Sequence, residues 1–159
     1  MDQKKILVAY FSATGTTERV AKAIADATGA TLYEITPELR FTTDDLNWND
    51  PSSRSSLEMH DPDSRPAIAN TDGVNAADYD LIFIGYPIWW DLAPRQVNTW
   101  IESQKLDGKR VVPFATSGGS SIRGSVRDLK RLYPSIDWQE GRLLNGSPKS
   151  ASDWAKSID

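Results

Sequence analysis

Three runs of apolar residues punctuate an otherwise mixed chain: 6–11 (ILVAYF), 81–85 (LIFIG) and 111–115 (VVPFA). Each is strand-length and none alternates with polar residues, so each predicts a parallel strand covered on both faces. A weaker run, 31–35 (TLYEI), alternates and predicts an edge strand, and 142–144 (RLL) is the candidate fifth. Helical spacing fills the gaps. Val20, Ala23, Ile24 and Ala27 make one stripe before a stop at Gly29. Val97, Trp100 and Ile101 repeat the spacing after Pro94, a residue suited to a first helical turn. Val126, Leu129 and Tyr133 form a third stripe ended by Pro134, and 150–158 predicts a short terminal helix.

Strand alternating with helix predicts an α/β fold: a doubly wound, five-stranded parallel sheet with helices on both faces. Ligands in such folds sit beyond the carboxyl ends of the strands. The length of 159 residues suits a single domain, 1–159. Residues 37–78 break the rhythm, being polar and carrying Pro37, Pro51, Pro62 and Pro66. They predict an ordered surface excursion that covers one face of the sheet, with a short helix around 52–59. A lid or docking loop is the functional alternative. His60, the only histidine, lies here and is expected to be solvated.

Three loops follow the three strong strands. Ser12, Thr14, Thr16 and Thr17 surround Gly15 without a charge among them. A helix start leaves N–H groups unpaired, and neutral hydroxyls would add donors, so the loop suits an anion. Ordinary capping would need only one of these residues. Neither a Walker loop nor the G-x-G-x-x-G fingerprint is present, which disfavours ATP or NAD as the main ligand. The second loop, GYPIWWDLAP, brings Pro87, Ile88, Trp89 and Trp90 to a strand end. The indoles either cover the sheet or stack on a flat ligand. In the third, TSGGSSIRG, Thr116, Ser117, Gly118 and Gly119 either form a tight turn or let backbone approach a ring edge. Together they describe a ligand with an anionic end, a flat middle and a polar rim, the shape of flavin mononucleotide (FMN).

Composition narrows the partners. A net charge of -4, from 22 acids and 18 bases, argues against nucleic acid and is compatible with docking onto a basic protein surface. Absence of cysteine excludes disulfides, thiolate metal sites and a cysteine nucleophile. The run 6–11 is too short for a signal-peptide core or a membrane helix, so no membrane association and a cytoplasmic location are expected. One histidine makes a Ser-His-Asp triad improbable.

The motifs YFSATGTTERVAKAIA, GYPIWWDLAP and FATSGGSSIRGSVRDLKRLYP, followed by EGRLLNG, resemble the flavodoxin family, in particular a bacterial group with a P-x-W-W loop. The stretches NDPSSRSSLEM and DPDSRP fit the same group. The resemblance implies strand order 2-1-3-4-5, with FMN as cofactor. It implies that Ser12, Thr14, Gly15, Thr16 and Thr17 hold the phosphate. Pro87, Ile88, Trp89 and Trp90 would lie along the ring, and Thr116, Ser117, Gly118 and Gly119 would touch its edge. The implied function is low-potential one-electron transfer between redox protein partners, a reductase and an acceptor, by a monomer. Two departures stand out: Asp91 and Ser121 occupy positions where the group usually has glycine. A carboxylate near the ring would disfavour added negative charge, so Asp91 is expected to lower the potential of the flavin's last electron. The alternatives are an NAD(P)H-dependent FMN or quinone reductase on the same fold and, last, a receiver-type signalling module. A receiver needs acids after the first strand, where Ser12, Ala13 and Thr14 stand.

Overall fold

The computed structural model describes residues 5–69, 74–117, 121–144 and 147–158. Its main sheet is parallel. Strand β1 (Ile6–Tyr10) pairs with β2 (Thr31–Glu34) on one side and, across the sheet, with Leu81–Pro87 on the other. A two-residue antiparallel pair, β3 (Thr36–Pro37) and β4 (Ile68–Ala69), closes the base of the excursion. Leu81–Pro87 is therefore β5, and it pairs with β6 (Arg110–Thr116). Two short segments, β7 (Asp137–Trp138) and β8 (Arg142–Leu143), share the far edge of β6. The order β2-β1-β5-β6-β7 is flavodoxin-like and matches the expected 2-1-3-4-5.

The fifth strand is split, and its neighbour supplies the reason. Gln139 N donates to Val111 O at 2.8 Å and Leu144 N donates to Ala115 O at 2.7 Å, so odd-numbered residues of β6 face this edge. Pro113 stands between them and has no N–H to offer. The ladder lapses over 139–141. Gly141 fits there because a Cβ would lie 2.7 Å from both the ring and the carbonyl of Pro113.

Alternation along the central strands sends side chains to two cores. Val8, Tyr10, Phe83, Val112 and Phe114 meet α1 (Thr16–Thr28) and α5 (Pro148–Ser157) through Val20, Ile24, Ala151 and Trp154. Leu7, Ala9, Phe11, Ile82, Ile84 and Tyr86 meet Val97, Trp100 and Ile101 of α3 (Arg95–Ser103) and Leu129 of α4 (Arg123–Leu132). Full burial of a side chain such as Ile24 or Leu129 stabilises by about 1.5–3 kcal/mol relative to exposure. The terminal helix begins earlier than its apolar stripe suggests, because Ser147 caps it, accepting from Ser150 N, and Pro148 starts it.

The described part of the excursion, 37–69 and 74–78, holds α2 (Arg54–His60). It rests on α3 (Arg95–Ser103) rather than on bare sheet, since α3 already covers that face. Arg95 Nη2 donates to Met59 O at 2.8 Å, Gln96 Nε2 to Glu58 Oε1 at 2.9 Å and Thr99 Oγ1 to Pro66 O at 2.9 Å. Arg65 pairs with Glu102 at 2.7 Å. On the other flank α4 (Arg123–Leu132) follows the third loop. No helix among the described residues is long and apolar enough to cross a membrane.

Candidate functional site

A cleft of about 450 Å3 opens beyond the carboxyl ends of β1, β5 and β6. It gathers Thr14, Thr16 and Thr17 from the first loop, Pro87, Ile88 and Trp89 from the second, and Thr116 and Ser117 from the third. Among the described residues no charged side chain lines it. Gly118 and Gly119 lie outside the described residues.

The first loop turns into α1 through Gly15, whose φ of 95° is a left-handed conformation that a side chain would strain. Ser12 Oγ accepts from Gly15 N at 3.0 Å, so Ser12 braces the turn from outside the lining. No side chain caps α1, which leaves its first turn's N–H groups without the partner such helices often recruit. Thr17 and Thr116 are both buried, and their hydroxyls meet at 2.8 Å, tying the first loop to the third. Glu18, the one acid in that turn, accepts from Tyr10 OH at 3.0 Å. Burial first, and the Glu18 hydrogen bond second, push the Tyr10 phenol well above its ordinary value, so it stays a donor.

The two tryptophans play different parts. Trp89 and Leu92 exchange backbone hydrogen bonds at 2.9 and 3.0 Å and so close a two-residue hairpin around Trp90 and Asp91. The Trp89 ring lines the cleft, standing edge-on to Phe11 at 5.6 Å and to Phe41 at 5.4 Å between centroids. Trp90 is not among the residues lining that cleft; its ring meets His60 at 5.2 Å. His60 is exposed as expected, and its Nδ1 lies 2.7 Å from Ser56 O. Trp90 instead lines a second, smaller cavity of about 220 Å3 with Trp48 and Ser55 of the excursion. Leu46, Ile88 and Trp89 line both spaces. Leu46, Trp48 and Ser55 were missed by motif reading; the available signal was two large apolar residues alone in the polar stretch DDLNWND.

A model of the family described as flavodoxin matches residues 5–158. The chain belongs to the flavodoxin family. No curated protein matches it. Among solved structures, a provisionally named flavoprotein of Bacteroides uniformis ATCC 8492 is 53% identical, with a TM-score of 0.93 over 98% of this chain and 100% of that one. Its counterpart from Bacteroides eggerthii DSM 20697 is 55% identical, with a TM-score of 0.87 over 98% of each chain. A flavoprotein from Lactobacillus acidophilus NCFM, solved in complex with FMN, shares the fold at 22% identity, with a TM-score of 0.74 over 97% and 99% of the two chains.

Within this flavodoxin-family chain the hairpin has a backbone that would suit glycine at 91. Trp90 and Asp91 take φ of 49° and 64°, the pattern of a type I′ turn, which favours glycine at its second position. Such residues cost about 1–3 kcal/mol each and persist only where the surroundings hold them. The Asp91 carboxylate lies against Gly124 in the first turn of α4, in the space a Cβ there would occupy.

Proposed function

We propose that the cleft binds FMN and that the protein carries single electrons between redox protein partners. One observation carries the reading: a helix start whose cleft-lining side chains are neutral hydroxyls and an indole wall face the same cleft. The residues fit the group. A phosphate at the start of α1 would meet the helix's first amides and the Thr14 and Thr16 hydroxyls, with the loop shaped by Gly15 and braced by Ser12. Pro87, Ile88 and Trp89 offer a flat apolar wall for a ring, and Thr116 and Ser117 offer polar groups to its edge. FMN, when bound, supplies the redox chemistry. The chain's part is to orient it and exclude water from one face. None of the described lining side chains titrates near neutrality, so these residues neither give nor take a proton. The net charge of -4 suits docking onto a basic partner surface. The test is direct: the purified protein should show a flavin absorbance band and release FMN on denaturation. A colourless preparation that refuses added FMN would overturn the proposal.

The second cavity favours one further reading, an NAD(P)H-dependent FMN or quinone reductase, because the excursion walls a space beside the cleft. Anaerobic addition of NADPH separates the two. Fast bleaching of the flavin without a partner reductase selects the enzyme; persistence of the band selects the carrier.

A further inference from the structure

We propose that Arg54 is a positioning residue for the ring end of the larger cleft: it fixes segment 38–46 of the excursion so that Phe41 steadies the Trp89 indole. The proposal rests on the FMN reading for that cleft and adds to it a residue outside the lining.

Segment 38–46 belongs to no helix or strand, so its course depends on ties to its neighbours. Arg54, the first residue of α2, reaches it at three points. Its Nη1 donates to Leu39 O at 2.6 Å and lies 3.9 Å from Asp45 Oδ2, and its guanidinium carbon stands over the Phe41 ring, 3.9 Å from the centroid. The backbone of α2 adds a fourth tie, Ser55 N donating to Asp45 O at 3.0 Å. Arg54 is itself held. Its Nε donates to Glu58 Oε2 at 3.0 Å, while Glu58 Oε1 accepts from Gln96 Nε2 of α3 at 2.9 Å. Contacts thus run unbroken from α3, which packs on the sheet, through Glu58 and Arg54 to Phe41.

Phe41 carries them to the cleft. Its ring stands edge-on to Trp89 at 5.4 Å and to Phe11 at 5.9 Å between centroids. Phe11, which also meets Trp89, is fully buried and cannot give way. An indole in contact with one buried ring and one pinned ring has little room to swing. Trp89 lines the cleft, and so does Leu46, at the end of the same segment. A flavin ring laid on that wall meets a surface whose shape is set in part by Arg54.

Shape, and not charge, is what Arg54 supplies. Asp45 and Glu58 flank the guanidinium, so its field at the cleft is largely balanced. A planar guanidinium lies flat on an aromatic face while its edges donate in fixed directions; an ammonium cannot do both.

The experiment uses the full chain. FMN binding by the unaltered protein is measured first, and failure there sinks the FMN reading itself before any variant is made. Arg54→Met, Arg54→Lys and Phe41→Leu are then compared for FMN affinity and for the visible circular dichroism of the bound flavin, which reads the asymmetry of its contacts. Each variant should bind FMN roughly fivefold more weakly and change the flavin dichroism at saturating FMN. The double variant Arg54→Met with Phe41→Leu should be no weaker than the weaker single, because both act through one contact. Three results would each overturn the proposal: full affinity in Arg54→Lys, additive losses in the double variant, or a lowered melting temperature with unchanged flavin dichroism. The last would mark Arg54 as merely structural. If Arg54→Met does not fold, Arg54→Lys and Phe41→Leu carry the same test.

Discussion

The loop after β1 and the hairpin after β5 solve the same problem at opposite cost. Each must bend the chain through positive φ at a strand end. The first gives that conformation to Gly15, at a φ of 95°. The second gives it to Trp90 and Asp91, at 49° and 64°. The first is braced by Ser12 within the same loop and joined to the third loop through Thr17 and Thr116. The second leans on distant elements, His60 in the excursion and Gly124 in α4. A glycine turn takes positive φ without side-chain strain, whereas a side-chain turn is only as stable as the surfaces it rests on.

That contrast can be broken most strongly at Gly15. A Cβ there would meet nothing within 4 Å, so Gly15→Ala changes conformation without a clash. At about 1–3 kcal/mol of strain, FMN affinity should fall roughly ten- to hundredfold, measured by quenching of flavin fluorescence. Unchanged affinity would remove Gly15 from the phosphate site. Next in size is Gly124→Ala, whose new methyl would land on the Asp91 carboxylate. Displacing the hairpin should cost about 1–3 kcal/mol in chemical denaturation. The double variant with Asp91→Gly should recover most of that loss, a non-additivity expected only if the two residues bear on each other.

Asp91→Gly alone is a smaller and more diagnostic change. It relieves one positive φ and should raise stability by about 1 kcal/mol or less, because the freer unfolded chain offsets part of the gain. Removing the carboxylate should also raise the potential of the flavin's last electron in a redox titration. A potential that stays put would mean that the seat on Gly124 already keeps the charge from the ring.

The smallest effect serves as a control away from both loops. Tyr133 donates to Glu102, which also pairs with Arg65 of the excursion. Burial would raise the Glu102 carboxyl, but the hydrogen bonds from Tyr133 and Arg65 hold it below its ordinary range. Burial first, then the bond to Glu102, pushes the Tyr133 phenol up to about 12 from 10.0. Stability from this phenol is complete below its unfolded value and is lost as pH rises through 10.0 towards about 12. Denaturation midpoints should fall across that window, and less so in Tyr133→Phe, with FMN affinity the same in both proteins. Equal slopes in the two would remove Tyr133 as the source.

Much of this was legible in the chain. Unbroken apolar runs marked β1, β5 and β6 because strands covered on both faces leave no room for alternation. The hydroxyl loop stood out because four hydroxyls exceed what a cap requires, and three of them, Thr14, Thr16 and Thr17, line the cleft. What stayed hidden depended on distant neighbours. Pro113 sits in a good apolar run, and its effect falls on the next strand rather than its own. Trp89 and Trp90 are equivalent in composition, and only the fold brings Trp89 to the cleft while Trp90 lines the second cavity alone. Trp48 and Ser55 reach that cavity through the folding of an excursion whose sequence is mostly polar.

The gap opposite Pro113 also bears on how the molecule behaves in a crowd. An exposed sheet edge invites a strand from another copy, which needs a continuous row of donors and acceptors. Here that edge offers two-residue segments, Asp137–Trp138 and Arg142–Leu143, with 139–141 between them outside any strand. An incoming strand would find no register to extend, and one proline in the interior thus guards the flank against polymerisation.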